Sequence, residues 1–455
     1  MLKKLEEIEK NNPVEQLEFK GQKVWPYLRI YVATKLLHDV NSKAVDSSVI
    51  KSFFSSFFYG FFSLFKSYNY FYITSNDQRK KNGEIYTDKS VDAIATMLKK
   101  GLMFELPVVK HFKRKDIPTE NVVSRFILYF LVLLYSKLFV RRFKLENEAV
   151  LEKILDENEI TLNYKEIITR NWSQYKVMLI LLKFYKPKAA FIVCHYTSMG
   201  FIKAFREKNI KVIEIQHGVI NASHEAYNVF KDVDNSFYPD YLLTFGLNEK
   251  DTFHSANFCI KSENVYPVGH FYLDYIANMY RPNQELEGRT KFYKKLVSIT
   301  SQNHLVEVKL IEFIKKSANL DKEIGFIFIP RTPGKTIDEY GFPTNVIIVG
   351  GLNCYEIMSQ TDFHSTVFSS CAIEAPSIGI QNILINIDNM SKLVFEDVLF
   401  DKRITVFVDT EEEYINAINN FQKVNKKEII HSNERIIMPN YLNNLSKTLD
   451  IILAK

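Results

Sequence analysis

From Lys186-Pro187 onward, short apolar runs alternate with segments whose apolar residues recur every three or four positions. Ala189-Ala-Phe-Ile-Val-Cys194 suits a strand buried on both faces, 200–208 has the helical period, and Lys211-Val-Ile-Glu-Ile215 is a second strand. Together they predict a β-α-β unit. Strands at 241–245 and 264–268, with a helix over 248–256 between them, continue the alternation. The polar stretch Tyr280-Arg-Pro-Asn-Gln-Glu-Leu-Glu-Gly288 interrupts it and is read as a linker. Beyond it, strands are predicted at 295–299, 324–329, 345–349, 362–364 and 382–386, with helices over 304–317 and 371–379. A last helix is expected at 448–453. Strands alternating with helices imply parallel sheets, so the fold class is α/β, with one domain on each side of the linker.

The first 185 residues are less regular. Helical patterns occur at 91–100 and 147–157 and a strand is expected at 70–74. Two aromatic or apolar stretches stand out. Phe126-Ile-Leu-Tyr-Phe-Leu-Val-Leu-Leu-Tyr135 is ten residues long, too short for a span of about 20. Phe53-Phe54-Ser-Ser-Phe57-Phe58-Tyr59-Gly-Phe61-Phe62 lies between Lys51 and Lys66.

Composition narrows the class. With 46% hydrophobic and 25% charged residues in 455, the chain is globular, and a large core is expected. Four cysteines without a CxxC pair read as reduced thiols, neither a disulfide framework nor a zinc site. The charged start, with no apolar h-region, predicts a protein kept on the cytoplasmic side. The net charge of +6 is concentrated: residues 110–144 hold nine Lys/Arg against Asp116 and Glu120. Basic clusters flanking a short apolar helix point to peripheral contact with an anionic membrane surface rather than to nucleic acid, although core packing accounts for the same pattern.

The sharpest local signal is Ser369-Ser370-Cys-Ala-Ile-Glu374-Ala-Pro-Ser377-Ile-Gly379, placed after one strand and before the next. Hydroxyls and free N–H groups at a helix start suit a phosphate, and a carboxylate one turn in accepts both hydroxyls of a ribose. Gln216-His217-Gly218 ends a strand, and a neutral His217 imidazole suits proton removal from an attacking hydroxyl. His224 is read as a loop residue. Ile329-Pro330-Arg331-Thr332-Pro333-Gly334-Lys335 follows another strand, and its cations, Arg331 first, would offset charge on a departing phosphate. Asp232-Val-Asp234 lies in a polar loop and is assigned no metal.

Three segments, 194–218, Val265-Tyr-Pro-Val-Gly269-His-Phe-Tyr-Leu-Asp274 and 369–379, resemble the GT-B superfamily of glycosyltransferases, which includes the non-hydrolysing UDP-GlcNAc 2-epimerases. The resemblance covers about 187–387 and implies two Rossmann-like domains facing across a cleft. The acceptor-side domain would be 1–280, with helical and aromatic additions, the nucleotide-donor domain 289–440, and 441–455 a helix crossing back. It implies that Glu374 holds the donor ribose, that Ser369 and Ser370 face the diphosphate, and that Thr300 and Ser301 begin the donor-side loop. Capsule and teichoic-acid transferases are similar in having His-Gly where His217 stands.

The departures matter as much. Epimerases of this pattern carry acids where Tyr196 and Gln216 stand, and an arginine loop where Thr300-Ser301-Gln302-Asn303 stands. Epimerisation therefore lacks its parts, and the expected activity is metal-independent transfer from a nucleotide-sugar donor to a saccharide or lipid-linked acceptor of a surface polysaccharide or glycolipid. The alternatives are transfer of a polyol phosphate from a CDP-glycerol-like donor, and a non-catalytic scaffold at the membrane.

Overall fold

Residues 2–37, 56–140, 143–231, 233–254, 257–301, 304–331, 337–399 and 401–454 are described by a computed structural model. The chain forms two units, one of Met1–Thr244, Glu249–Pro267 and Leu445–Lys455, the other of Phe245–Asn248 and Val268–Asn444.

The first unit is built on seven strands: β1 (Tyr70–Ser75), β2 (Gly101–Leu106), β3 (Val122–Ser124), β4 (Ala189–Val193), β5 (Lys211–Ile215), β6 (Tyr241–Thr244) and β7 (Val265–Pro267). They are parallel throughout, in the order β7-β6-β5-β4-β1-β2-β3. Phe71, Ile73, Leu102 and Phe104 pack with Ala190, Ile192, Phe201 and Phe205 on one face. Helices cover the sheet, which is why β4 is apolar along its whole length and β1 as far as Ile73. The helices used below are α1 (Trp25–Leu37), α2 (Phe126–Phe139), α3 (Tyr164–Leu181) and α4 (Met199–Glu207).

The second unit has six parallel strands: β8 (Lys295–Thr300), β9 (Ile324–Ile329), β10 (Val346–Ile347), β11 (Phe363–Ser365), β12 (Gln381–Ile385) and β13 (Thr405–Val408), ordered β10-β9-β8-β11-β12-β13. The strand order therefore reverses between β1 and β4 in one sheet and between β8 and β11 in the other. In open α/β sheets such a switch point opens a crevice at the carboxyl ends of the two strands.

Several expectations change. β2 and β3 lie in the region read as irregular. Lys99 and Lys100 take left-handed φ of 48° and 46°, so the helix Asp92–Leu98 stops two residues short of the pattern read over 91–100 and β2 starts directly after them. The stretch read as a linker contains the helix Gln284–Thr290, whose first turn Asn283 caps by accepting from the Leu286 N–H. The helix expected over 371–379 is α5 (Cys371–Glu374) continued by a 3₁₀ turn, Ala375–Ile378, in which Pro376 has no N–H to continue the α ladder. The terminal helix α6 spans Tyr441–Ala454, starting seven residues before the 448–453 read from periodicity, and Lys211 Nζ donates to the Ile452 carbonyl at 3.1 Å.

The ten-residue apolar run sits in α2. Its residues Phe126, Ile127, Leu128 and Val132 are buried, while Phe130, Leu133, Leu134, Leu138 and Phe139 are exposed. Of the other aromatic stretch, Phe53 and Phe54 lie outside the described residues, and Phe58 and Phe62 are exposed. No helix among the described residues is long and apolar enough to cross a membrane.

Candidate functional site

In the second unit the switch point brings together two segments singled out from sequence. β8 ends in Thr300-Ser301, β11 leads through 366–370 into α5, and the Thr366 hydroxyl donates to the Thr300 carbonyl at 3.1 Å. Ser369 and Ser370 precede α5; the Ser369 hydroxyl accepts from the Cys371 N–H at 3.3 Å, and the Ser370 side chain makes no capping bond.

Glu374 closes the first turn of α5. Its carboxylate is 1% exposed, and Oε1 accepts from the Tyr355 hydroxyl at 3.2 Å. Burial first, and then the Glu374 charge, raise the Tyr355 phenol well above its ordinary value, so it stays a proton donor. Side-chain amides fix α5 from behind: Asn382 donates to the Ala372 carbonyl at 2.7 Å and Asn433 to that of Ile373 at 3.0 Å. A buried carboxylate on so short and so firmly held an element is costly to desolvate, and such a group is kept where donors are built around it.

The hydroxyls of Thr300 and Ser301 are used by the fold. Thr300 Oγ1 lies 3.1 Å from His364 Nε2, and Ser301 donates to Glu307 at 2.7 Å. Arg331 follows β9 and is exposed; Thr332–Lys335 and Gln302-Asn303 lie outside the described residues.

His364 was not anticipated. It is fully buried between Thr300 and Asn382, and burial pushes its imidazole down to about 4 from 6.5. The native state therefore binds fewer protons than the unfolded chain between those values, and stability falls as pH falls through that window. From pH 6.5 to 5 the loss expected from this one group is about 2 kcal/mol. Urea unfolding at pH 7 and pH 5 checks it: His364→Gln should lose correspondingly less on acidification, and an equal loss in both proteins contradicts the assignment.

The first unit assembles a second cluster at the ends of β4 and β5. Cys194 takes a left-handed φ of 66°, turning the chain into the 3₁₀ turn His195–Thr197. Glu214, the one acid within β5, is fully buried and accepts from the His195 backbone N–H at 2.9 Å and from its Nδ1 at 2.9 and 3.0 Å. Burial opposes its ionisation, yet the His195 ring and N–H hold its carboxyl below the ordinary value.

His217 follows β5, with Nε2 3.4 Å from the Tyr196 hydroxyl and a buried Nδ1 that has no hydrogen-bond partner among the described residues. Burial lowers its imidazole, Glu214 pulling the other way, so the neutral ring suited to accepting a proton is favoured. Gln216, standing where an epimerase would carry an acid, donates to Glu249 and to the Gly218 carbonyl, both at 2.8 Å. His224 Nδ1 accepts from the Ala226 N–H within its loop at 3.3 Å. Asp234 pairs with Lys203 at 2.9 Å, and Asp232 lies outside the described residues. Glu214 and His195 were missed, although an acid inside an otherwise apolar strand is a legible signal: such a group is kept only where a partner is built for it.

Two parallel Rossmann-like sheets, each reversing its strand order, give the chain the GT-B fold. No family model matches it, and no curated protein matches its sequence. Solved structures do. A UDP-N-acetylglucosamine 2-epimerase aligns over 86% of this chain and 97% of its own at 11% identity and a TM-score of 0.50. The calicheamicin glycosyltransferase aligns over 86% and 99% at 9% identity and 0.50, and the glycotransferase of kitacinnamycin over 86% and 100% at 10% and 0.50. At such identities the likeness is one of fold.

Proposed function

We propose that the protein is a metal-independent glycosyltransferase that moves a sugar from a nucleotide-sugar donor to a saccharide or lipid-linked acceptor of a surface polysaccharide or glycolipid. The observation that carries this reading is the buried Glu374 carboxylate, held beside the switch point of the second sheet one helical turn after Ser369-Ser370. There Glu374 receives the ribose hydroxyls and the serine turn meets the diphosphate, with Arg331 offsetting the leaving charge. Thr300 and Ser301 act by shaping the end of β8, their hydroxyls being bound within the unit. His217 of the first unit is the base that deprotonates the acceptor hydroxyl, steered by Tyr196.

The test is turnover of UDP-, GDP- and CMP-linked sugars and of CDP-glycerol with polysaccharide acceptors. Release of nucleotide with glycosylated acceptor supports the reading. Turnover of CDP-glycerol alone replaces it with polyol-phosphate transfer, and nucleotide binding without any turnover replaces it with a scaffold.

The acceptor is reached, in this reading, from the inner face of the cytoplasmic membrane. Exposed Phe58, Phe62, Phe65, Phe130, Leu134 and Leu138 of the first unit are accompanied by exposed Lys110, Lys113, Lys115 and Lys137. Each cation is worth about 1 kcal/mol at an anionic surface, and salt screens it beyond about 8–10 Å. Arg114 serves the fold instead, donating to the Val122 carbonyl, and Arg141 and Arg142 lie outside the described residues. Sedimentation with liposomes should require anionic lipid, weaken with salt, and weaken again when Lys110, Lys113, Lys115 and Lys137 become Glu. Wild-type protein that ignores anionic liposomes at low salt removes this part of the reading.

A further inference from the structure

We infer that a cavity of about 760 Å³ in the first unit, walled by α1, α2 and α3, is the subsite for an amphiphile, an alkyl- or isoprenyl-anchored saccharide whose sugar sits in the cavity and whose chain leaves along α2. This deepens the transferase reading and rests on it, since it names what kind of acceptor the first unit takes.

The walls differ in chemistry. α2 contributes Tyr129, Val132 and Leu133, positions three and four apart and so on one face. α3 contributes Arg170, Asn171 and Gln174 on the other side. Gln174 supplies the independent observation: it is 3% exposed, lines the cavity, and its Oε1 has no hydrogen-bond partner among the described residues. Buried amide oxygens are rarely left so, and a ligand hydroxyl would satisfy this one. Arg170 donates to the Tyr31 hydroxyl at 2.6 Å, which fixes an aromatic ring at the cavity wall. Aromatic faces with amide partners suit the alternating C–H and O–H surfaces of a sugar.

The apolar wall does not end at the cavity. Leu133 lines it and is 55% exposed, and the adjacent Leu134 and Leu138 line a groove on the other flank of α2 with Ile180 and Leu181. An apolar stripe thus runs from the cavity out along the helix. A fatty acid would leave the Gln174 amide oxygen facing methylenes, and a free sugar would leave the stripe uncovered; an anchored saccharide satisfies both.

The probe is dodecyl maltoside below its micellar concentration, titrated calorimetrically into the full chain beside maltose. Saturable 1:1 binding is expected for the glycoside, with maltose at least about tenfold weaker because it buries no chain. Thr169→Trp, which fills the cavity, and Leu133→Glu, at its exposed lip and so safe for folding, should each weaken the glycoside by at least about tenfold. Nucleotide affinity should be unchanged in both. Undiminished glycoside binding in both variants, or maltose binding as tightly as the glycoside, overturns the inference. Because glycoside binding is measured without donor, wild-type protein that turns over donor yet binds no glycoside rejects the subsite and leaves the transferase reading standing. Glycoside binding without donor turnover does the reverse.

Discussion

His217→Ala should bind nucleotide like the wild type and turn over at least about a hundredfold more slowly, the range expected when a positioned general base is removed. The assignment rests on three features. The ring stands at the carboxyl end of a strand, in the neighbourhood of a topological switch. Its Nε2 is aligned by Tyr196, and its Nδ1 is buried without a partner among the described residues. Its proton affinity is held down mainly by burial, so the base is already neutral near pH 7. The rate should therefore rise with pH along a limb lying below 6.5 and stay flat above it. His217→Ala should abolish that limb together with the rate. Near-normal turnover in the variant removes His217 from the chemistry, whereas a fall in nucleotide affinity alone would make it a donor-binding residue.

Glu374→Gln should weaken nucleotide binding by about 1–3 kcal/mol, the range for losing a charge-assisted hydrogen bond in a buried site. Glutamine keeps the volume and one acceptor oxygen, so Asn382, Asn433 and the rest of the α5 support are left in place. The loss thus reports the ribose contact rather than a collapsed helix. Tyr355→Phe provides the comparison: it removes the phenol that donates to Glu374 while leaving the carboxylate, and a smaller loss is expected. Calorimetry on both variants gives the order, and unchanged nucleotide affinity in Glu374→Gln sinks the ribose assignment.

Strands covered on both faces were the most legible part of the fold. β4, β5, β8 and β9 are apolar runs bounded by polar turns, and their bounds differ from expectation by at most one residue. β2 was hidden because two left-handed lysines replace the turn that should have separated it from the preceding helix. At the site, the chain order of Ser369, Ser370 and Glu374 could be read directly, because strand, turn and helix follow one another locally. The Tyr355 partner could not, since it comes from a separate short helix, Cys354–Met358. The same holds for the Glu214–His195 pair, where two strands must lie side by side before an acid in one and a ring after the other become neighbours. Burial of the Thr300 hydroxyl against His364 is likewise a property of strand pairing, with Ser298 placed opposite His364 in the register.

The central claim is that the second unit binds the donor nucleotide at the switch between β8 and β11. Its most direct test is a structure of the full chain with whichever of UDP, CMP, CDP or GDP raises the melting temperature most. The ribose hydroxyls should lie within hydrogen-bond distance of the Glu374 carboxylate, with the phosphates against Ser369 and Ser370. A nucleotide seated in the first unit, or one whose ribose is turned away from Glu374, would contradict the claim.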